Sequence, residues 1–237
     1  MDSDSFLVRD RAAYETGFHP GLELKYCFHP QWLTEDISRA LDNGTYELRE
    51  AQAAQRFVTS EDVVLEIGGG LGIVASHICR SCSPAFYCCV EANPFLIGAI
   101  HHTLHANDVT KALVVHGVAT NDGRLLRQGW THFNTWYEFW GSTTEALDGA
   151  EPIVVPVMSF DELVKNIRPT ILICDIEGGE GELLESTRLD SVRSVVMEIH
   201  PKMSTKSARH SILDMLQERG FAVSSSTSHV VSASRSL

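Results

Sequence analysis

The chain has 237 residues, 43% of them hydrophobic and 21% charged, a composition able to bury one full α/β core. Its 19 Lys and Arg against 31 Asp and Glu leave a net charge of −12 with no basic cluster, which disfavours a phosphate backbone as partner. No apolar run approaches the ~20 residues of a membrane span, and Met1-Asp2-Ser3-Asp4-Ser5 lacks the charged-then-apolar order of a secretory signal. The expectation is a cytoplasmic protein that binds neither nucleic acid nor membrane.

Residues 1–29 carry weak periodicity, with turns at His19-Pro20-Gly21 and His29-Pro30, and read as an irregular arm. Leu33, Ile37, Ala40 and Leu41 mark one face of a helix over 31–41 that Gly44 can end. Residues 1–44 are thus an N-terminal arm and helix, and 45–237 a single domain. A second helix over 47–57 has Tyr46 and Glu50 near its start. An aromatic and a carboxylate there suit closure over a cofactor, or equally the packing of a surface helix.

Val63-Val64-Leu65-Glu66-Ile67 then runs through Gly68-Gly69-Gly70-Leu71-Gly72 into an apolar segment over 73–82. That is a buried parallel strand turning tightly into a helix, with glycines that let a ligand reach main-chain N–H groups. A dinucleotide fingerprint needs a small residue at the third glycine position, where Ile73 stands. The pattern Glu66-x-Gly68-x-Gly70-x-Gly72 instead resembles the first motif of class I S-adenosylmethionine (SAM)-dependent methyltransferases. That resemblance implies SAM and not NAD, with Gly68, Gly70 and Gly72 cradling it and Glu66 near its sulfonium and amino group.

Glu91 closes a second strand over 85–91, where a carboxylate can accept both hydroxyls of a ribose, and Ala92 follows it in the same site. Pro94 suits the first turn of a helix over 94–105. His101 and His105, four apart without an intervening HExxH glutamate, read as solvated or half-buried. Cys79 and Cys82 fall on that first helix and Cys88 and Cys89 inside a strand, so reduced structural thiols are expected and not zinc ligands. A third strand over 112–119 brings Ala119 and, through Thr120, Asn121 beside the adenine.

The alternation of strand and helix then breaks. Residues 121–160 hold three of the four tryptophans, Trp130, Trp136 and Trp140, with Phe133, Tyr137 and Phe139. Trp136, Tyr137 and Trp140 are candidate acceptor-site residues in an aromatic cover, the competing reading being a cluster that packs the insertion down. The stretch 152–157 carries two prolines and reads as an edge strand.

Strands over 171–176 and 195–200 end in Asp175-Ile176-Glu177 and Glu198-Ile199-His200. Alternation puts Asp175 with Glu177, and Glu198 with His200, on one side each, at the carboxyl strand ends where open α/β sheets bind ligands. Such groups are costly to bury unpaired, which makes Asp175, Glu177 and His200 the candidate catalytic residues. Two mechanisms fit an alcohol acceptor. His200 serves as general base, or Asp175 and Glu177 hold a hard divalent cation such as Mg²⁺.

Four motifs occur in order: Val90-Glu91-Ala92-Asn93-Pro94, Val157-x-Ser159-Phe160-Asp161-Glu162-Leu163, Asp175-Ile176-Glu177-Gly178-Gly179-Glu180 and Glu198-Ile199-His200-Pro201. They resemble the FkbM family of SAM-dependent methyltransferases, whose pattern is near VEPNP, T-LD-L, IDVEGAE and EIHP. The match spans about residues 45–201, with conservative departures at Ala92, Phe160 and Gly179. It implies a seven-stranded, doubly wound, mostly parallel Rossmann-like sheet, closed by an antiparallel hairpin near 221–231. It also implies O-methylation of a hydroxyl on a small or medium-sized metabolite such as a sugar or polyketide. An N-methyltransferase on a small amine and a non-enzymatic SAM-binding scaffold are the rival functions on the same fold.

Overall fold

A computed structural model describes residues 14–30, 33–135, 151–176, 179–199, 206–226 and 230–236. The chain opens with β1 (Glu15–His19) and β2 (Leu24–Phe28), an antiparallel hairpin where the sequence suggested an irregular arm. The hairpin is fixed by side chains far along the chain: Cys27 N–H donates to Thr103 Oγ1 at 2.8 Å and Lys25 N–H to Asn107 Oδ1 at 3.0 Å. Helix α1 (Glu35–Asp42) starts where Thr34 Oγ1 accepts the Ile37 N–H, and it buries Ile37 and Leu41. Helix α2 (Leu48–Gln55) follows and buries Glu50, Ala51 and Ala54.

The remaining elements alternate. They are β3 (Val63–Ile67), α3 (Ile73–Cys82), β4 (Phe86–Glu91), α4 (Pro94–Ala106) and β5 (Ala112–His116). Next come β6 (Val118–Thr120), α5 (Gly123–Gln128), β7 (Trp130–Thr135), β8 (Glu151–Ser159) and α6 (Phe160–Ile167). The chain closes with β9 (Ile171–Cys174), α7 (Glu180–Ser186), β10 (Ser194–Glu198), α8 (Lys206–Glu218), β11 (Ala222–Ser226) and β12 (Val230–Ser234).

The main sheet has seven strands in the order β11-β12-β10-β9-β3-β4-β5. Only β12 runs antiparallel to its neighbours, and the last two strands form the expected closing hairpin. Side chains of β3 alternate between two cores: Val64 joins Ile73 and Ile78 of α3 and Ile37 and Leu41 of α1, while Leu65 and Ile67 join Phe160, Leu184 and Leu216 on the other face. Connections from β3 lead outward to β4 and β5, while β9 and β10 lie on its other side. The order therefore reverses between β3 and β9, and the crevice for a ligand opens at their carboxyl ends.

Two expectations need correction. The third strand is two strands: Gly117, at φ 152, breaks the run, so β5 stays beside β4 while β6 enters a second sheet of order β6-β8-β7. A side chain at Gly117 would press on Met158 Cε at 2.6 Å and the Pro156 carbonyl at 2.9 Å. Nor is β8 an edge strand. Its first six residues pair with β7 and its last three with β6. Yet Pro152 and Pro156 lie in the stretch that pairs with β7 alone, which is one-sided as an edge strand is, so their missing N–H groups cost no ladder on the other side.

The amino ends of the central strands are tied by Asp62, which is buried. Its Oδ1 accepts from Thr170 Oγ1 at 2.6 Å and Arg193 Nε at 3.1 Å, and its Oδ2 from Arg193 and from the Thr59 N–H and hydroxyl. Burial works to raise this carboxyl, but hydrogen bonds from Arg193, Thr170 and Thr59 outweigh it and hold Asp62 below the usual aspartate value. All six cysteines are free thiols. Cys27, Cys88, Cys89 and Cys174 are buried, and burial pushes Cys79 up to about 12 and Cys88 to about 11. No helix among the described residues is long and apolar enough to cross a membrane.

Asp62→Ala is expected to destabilise the fold by about 3 kcal/mol, since it strands the Arg193 guanidinium. Because the folded-state pKa is depressed, the contribution is fully present above the ordinary aspartate pKa and is lost as pH falls through the folded value. Urea unfolding of wild type and variant across that acid range checks both: the two stabilities should converge at low pH.

Candidate active site

The turn after β3 works because four of its residues have no side chain. Gly68, Gly70 and Gly72 all adopt positive φ, at 90°, 52° and 76°. A Cβ on Gly68 would collide with the Asp175 carbonyl across the switch point, and one on Gly69 with Cys89 Sγ. Gly72 occupies the N-cap of α3, with no side chain to cover the helix end.

Glu91, at the end of β4, holds this loop in place. Its Oε2 accepts the Gly69 and Gly70 N–H groups at 2.9 and 3.0 Å, and its Oε1 the Asn93 N–H at 2.7 Å. A carboxylate offers about four lone-pair positions, and these three donors together with the Ala92 backbone N–H occupy Glu91 in holding the loop. Burial raises the Glu91 pKa, and those backbone donors pull against it. The next residue is pinned too, since His116 Nε2 donates to the Ala92 carbonyl at 3.2 Å. His116 escaped the sequence reading because its partner lies across two strands.

Glu66 forms the floor, 2% exposed in the middle of β3 beside Cys89 of β4. Burial pushes its carboxyl up to about 8, against a smaller opposing influence of Cys89 and Tyr87. Its Oε2 has no hydrogen-bond partner.

The wall opposite comes from the segment before α2. Tyr46 and Glu47 are hydrogen-bonded to each other, and Glu47 Oε1 lies 2.6 Å from where a Gly70 Cβ would stand. The sequence pointed to Tyr46 but not to Glu47. Asp175, half-buried at the end of β9, donates its N–H to the Ile67 carbonyl at 2.9 Å, and its charge works to raise both Tyr46 and Glu47. Further out, Glu50 of α2 shares a hydrogen bond with Glu198 at the end of β10. Burial is the main reason the Glu50 carboxyl rises to about 6, with the Glu198 charge adding to it.

Other candidates lie elsewhere. Ala119 packs on the core face that holds Phe160. Asn121 donates to Thr187 Oγ1 at 2.7 Å and to Asp161 Oδ1 at 3.4 Å, while its Oδ1 accepts the Asp161 N–H. Its side-chain amide is thus committed to joining β6, α6 and the end of α7. In the aromatic insertion Phe133 is buried, whereas Trp130 is exposed, edge-on to His132. Glu177, His200, Trp136, Tyr137 and Trp140 lie outside the described residues. Among those described, no group of three His, Cys, Asp or Glu side chains has the geometry to hold a metal ion.

Residues 81–223, more than half of the chain, match the family described as "Methyltransferase FkbM domain". The chain belongs to the FkbM methyltransferase family. It is accordingly a SAM-dependent methyltransferase. The family match begins after the glycine loop, so that loop is supported by its own geometry. No curated protein matches this FkbM-family sequence. Its fold is similar to that of M. jannaschii TYW2 in complex with AdoMet, with 8% identity over 96% of this chain and 87% of that one and a TM-score of 0.51. It is also similar to P. horikoshii TYW2 in complex with MeSAdo, with 10% identity, 93% and 70% coverage and a TM-score of 0.51. At such identities the likeness concerns the fold.

Removing Glu91 releases the Gly69 and Gly70 N–H groups from the carboxylate that holds them. Glu91→Ala is expected to weaken SAM and S-adenosylhomocysteine by at least about tenfold in calorimetric titration. Glu91→Gln should fall between it and wild type. NAD should give no heat, and tight NAD binding without a SAM response would overturn the cofactor assignment.

Proposed function

We propose that this FkbM-family enzyme transfers a methyl group from SAM to a hydroxyl of a small or medium-sized metabolite. The observation that carries the reading is the gathering of acids around Glu47 beside Gly70, namely Asp175 after β9, Glu66 of β3 and Glu50 of α2, with Glu50 raised to about 6 by burial. An alcohol is a poor nucleophile near neutrality and needs a proton acceptor, and carboxyls lifted toward neutral pH supply one. The residues fit SAM: a loop of glycines at positive φ turns from β3 into α3 without side chains, and among the described residues the buried Glu66 Oε2 below it has no partner. When bound, SAM supplies the methyl group on a positively charged sulfur.

The chain's own residues supply the rest. Glu91 keeps the loop N–H groups in line, and Glu66 balances positive charge from below. In this proposal Asp175, with Glu177 and His200 at neighbouring strand ends, orients the acceptor and takes its proton. His200 acts as the base and a carboxylate stabilises its protonated form. The net charge of −12 favours an uncharged acceptor over a polyanion. Trp136, Tyr137 and Trp140 are proposed to shape the acceptor pocket, consistent with an insertion that begins beyond β6 and returns through β8 to the main fold.

Two measurements test this. Turnover with a panel of acceptor hydroxyls should survive EDTA and fall as pH drops through a histidine titration near about 6.5. It should fall by roughly 10²-fold in His200→Ala. Loss with EDTA that Mg²⁺ restores would select a metal held by Asp175 and Glu177, and undiminished turnover in Asp175→Ala, Glu177→Ala and His200→Ala would remove both mechanisms. For the insertion, Trp136→Ala and Trp140→Ala should change acceptor KM or choice while SAM affinity stays within about threefold, less than 1 kcal/mol. Equal loss of both would mean a packing role.

A further inference from the structure

Glu47 is the acid at the switch point that no motif covers. It stands at the N-cap of α2 in the left-handed region, φ 51 and ψ 10, yet its side chain does not cap that helix. A glutamate held in a strained backbone at a position where it could serve its own helix is directed elsewhere. Its Oε1 lies against Gly70, 2.6 Å from the Cβ position, and its Oε2 is buried without a partner.

The segment is aimed from behind. His19, fully buried at the end of β1, accepts the Leu22 N–H on Nδ1 at 3.1 Å, which leaves the proton on Nε2 to donate to the Tyr46 carbonyl at 2.8 Å. Around the Glu47 carboxyl stand the Tyr46 hydroxyl, Glu50 from α2, Glu66 from β3 and Asp175 from the end of β9. The charges acting on it from these elements are all acidic. A second buried carboxyl oxygen without a partner among the described residues is on Glu66, 2% exposed, whose charge acts on Glu47 from β3.

Methyl transfer turns a sulfonium into a thioether, so the cofactor's net charge falls by one. We propose that Glu47, working with Glu66, selects for that charge, holding the cationic methyl donor in preference to its neutral demethylated product. The inference rests on the SAM assignment above. A carboxylate pair without a basic counter-ion gains most from a cation and gains nothing from a thioether. Loss of the methyl group thereby weakens the hold on the product that must leave. Burial and the neighbouring acids raise the Glu47 pKa, and a bound cation favours its ionised form, which ties cation binding to proton release.

Calorimetric titration of the full chain with SAM, S-adenosylhomocysteine and sinefungin tests it, since sinefungin carries a positive amine where SAM carries the sulfonium. Wild type is expected to bind SAM and sinefungin more tightly than S-adenosylhomocysteine. Glu47→Gln should narrow that ratio by roughly tenfold, chiefly by weakening the two cations, with S-adenosylhomocysteine changing less than about twofold. Equal weakening of all three, or an unchanged ratio, overturns the proposal and leaves the SAM assignment standing. Failure of wild type to bind any of the three removes the assignment itself. If Glu47→Gln melts far below wild type, the wild-type protein decides alone: in buffers of different ionisation heat, SAM should release more protons than S-adenosylhomocysteine. Equal release overturns the idea.

Discussion

At the switch point the backbone of Gly68 lies directly on the carbonyl of Asp175, and nothing larger than a hydrogen fits between them. That contact brings the first turn of one half of the sheet onto the residue that follows β9, the strand that begins the other half. Everything chemical in the molecule follows from the closeness. It sets Asp175 beside the glycine loop, aligns the loop N–H groups toward Glu91, and leaves Glu66 sealed below them. A methyl group added at Gly68 forces the two halves apart, and its positive φ resists any other residue on backbone grounds alone.

The site built on this contact is electrostatically uncomfortable. Glu47 and Glu66 present buried carboxyl oxygens without partners, and Glu50 and Glu198 share a hydrogen bond between two acids. Raised pKa values are the protein's answer, since protonation removes charges that burial disfavours. At the opposite end of the same strands Asp62 is satisfied by Arg193, Thr170 and Thr59. One end of the sheet is closed by complete pairing, and the other retains unmet demand for positive charge. Stability and function are divided along the strand axis.

Much of this was legible in the sequence where the signal was local and periodic. The segment over 73–82 forms a helix over that very span because its apolar spacing and the glycine before it agree. The strand pairs, the closing hairpin and the placement of Asp175 next to β3 also follow from apolar runs and the order of motifs. What stayed hidden depended on distant partners. The N-terminal hairpin is fixed by Thr103 and Asn107 on α4, so its own residues carry only a weak pattern. The split at Gly117 hides inside a continuous β-branched run. Asn121 looked open to a ligand but is engaged by Asp161 and Thr187. Glu47 reads as an ordinary acid at the head of a helix, and only its backbone conformation turns it toward Gly70.

The Pro20–Gly21 turn of the hairpin meets the residue that follows α1 main chain to main chain: a Cβ on Gly21 would strike the Gly44 carbonyl, and one on Gly44 would strike the Gly21 nitrogen. Such a joint involves no side-chain identity beyond two glycines, so its surroundings can drift in composition while the spacing stays fixed. Tyr46 and Glu47 follow immediately, carried to the loop by a splice that leaves little trace in amino-acid preference. The family resemblance over residues 81–223 therefore begins downstream of the segment that sets one wall of the cofactor crevice.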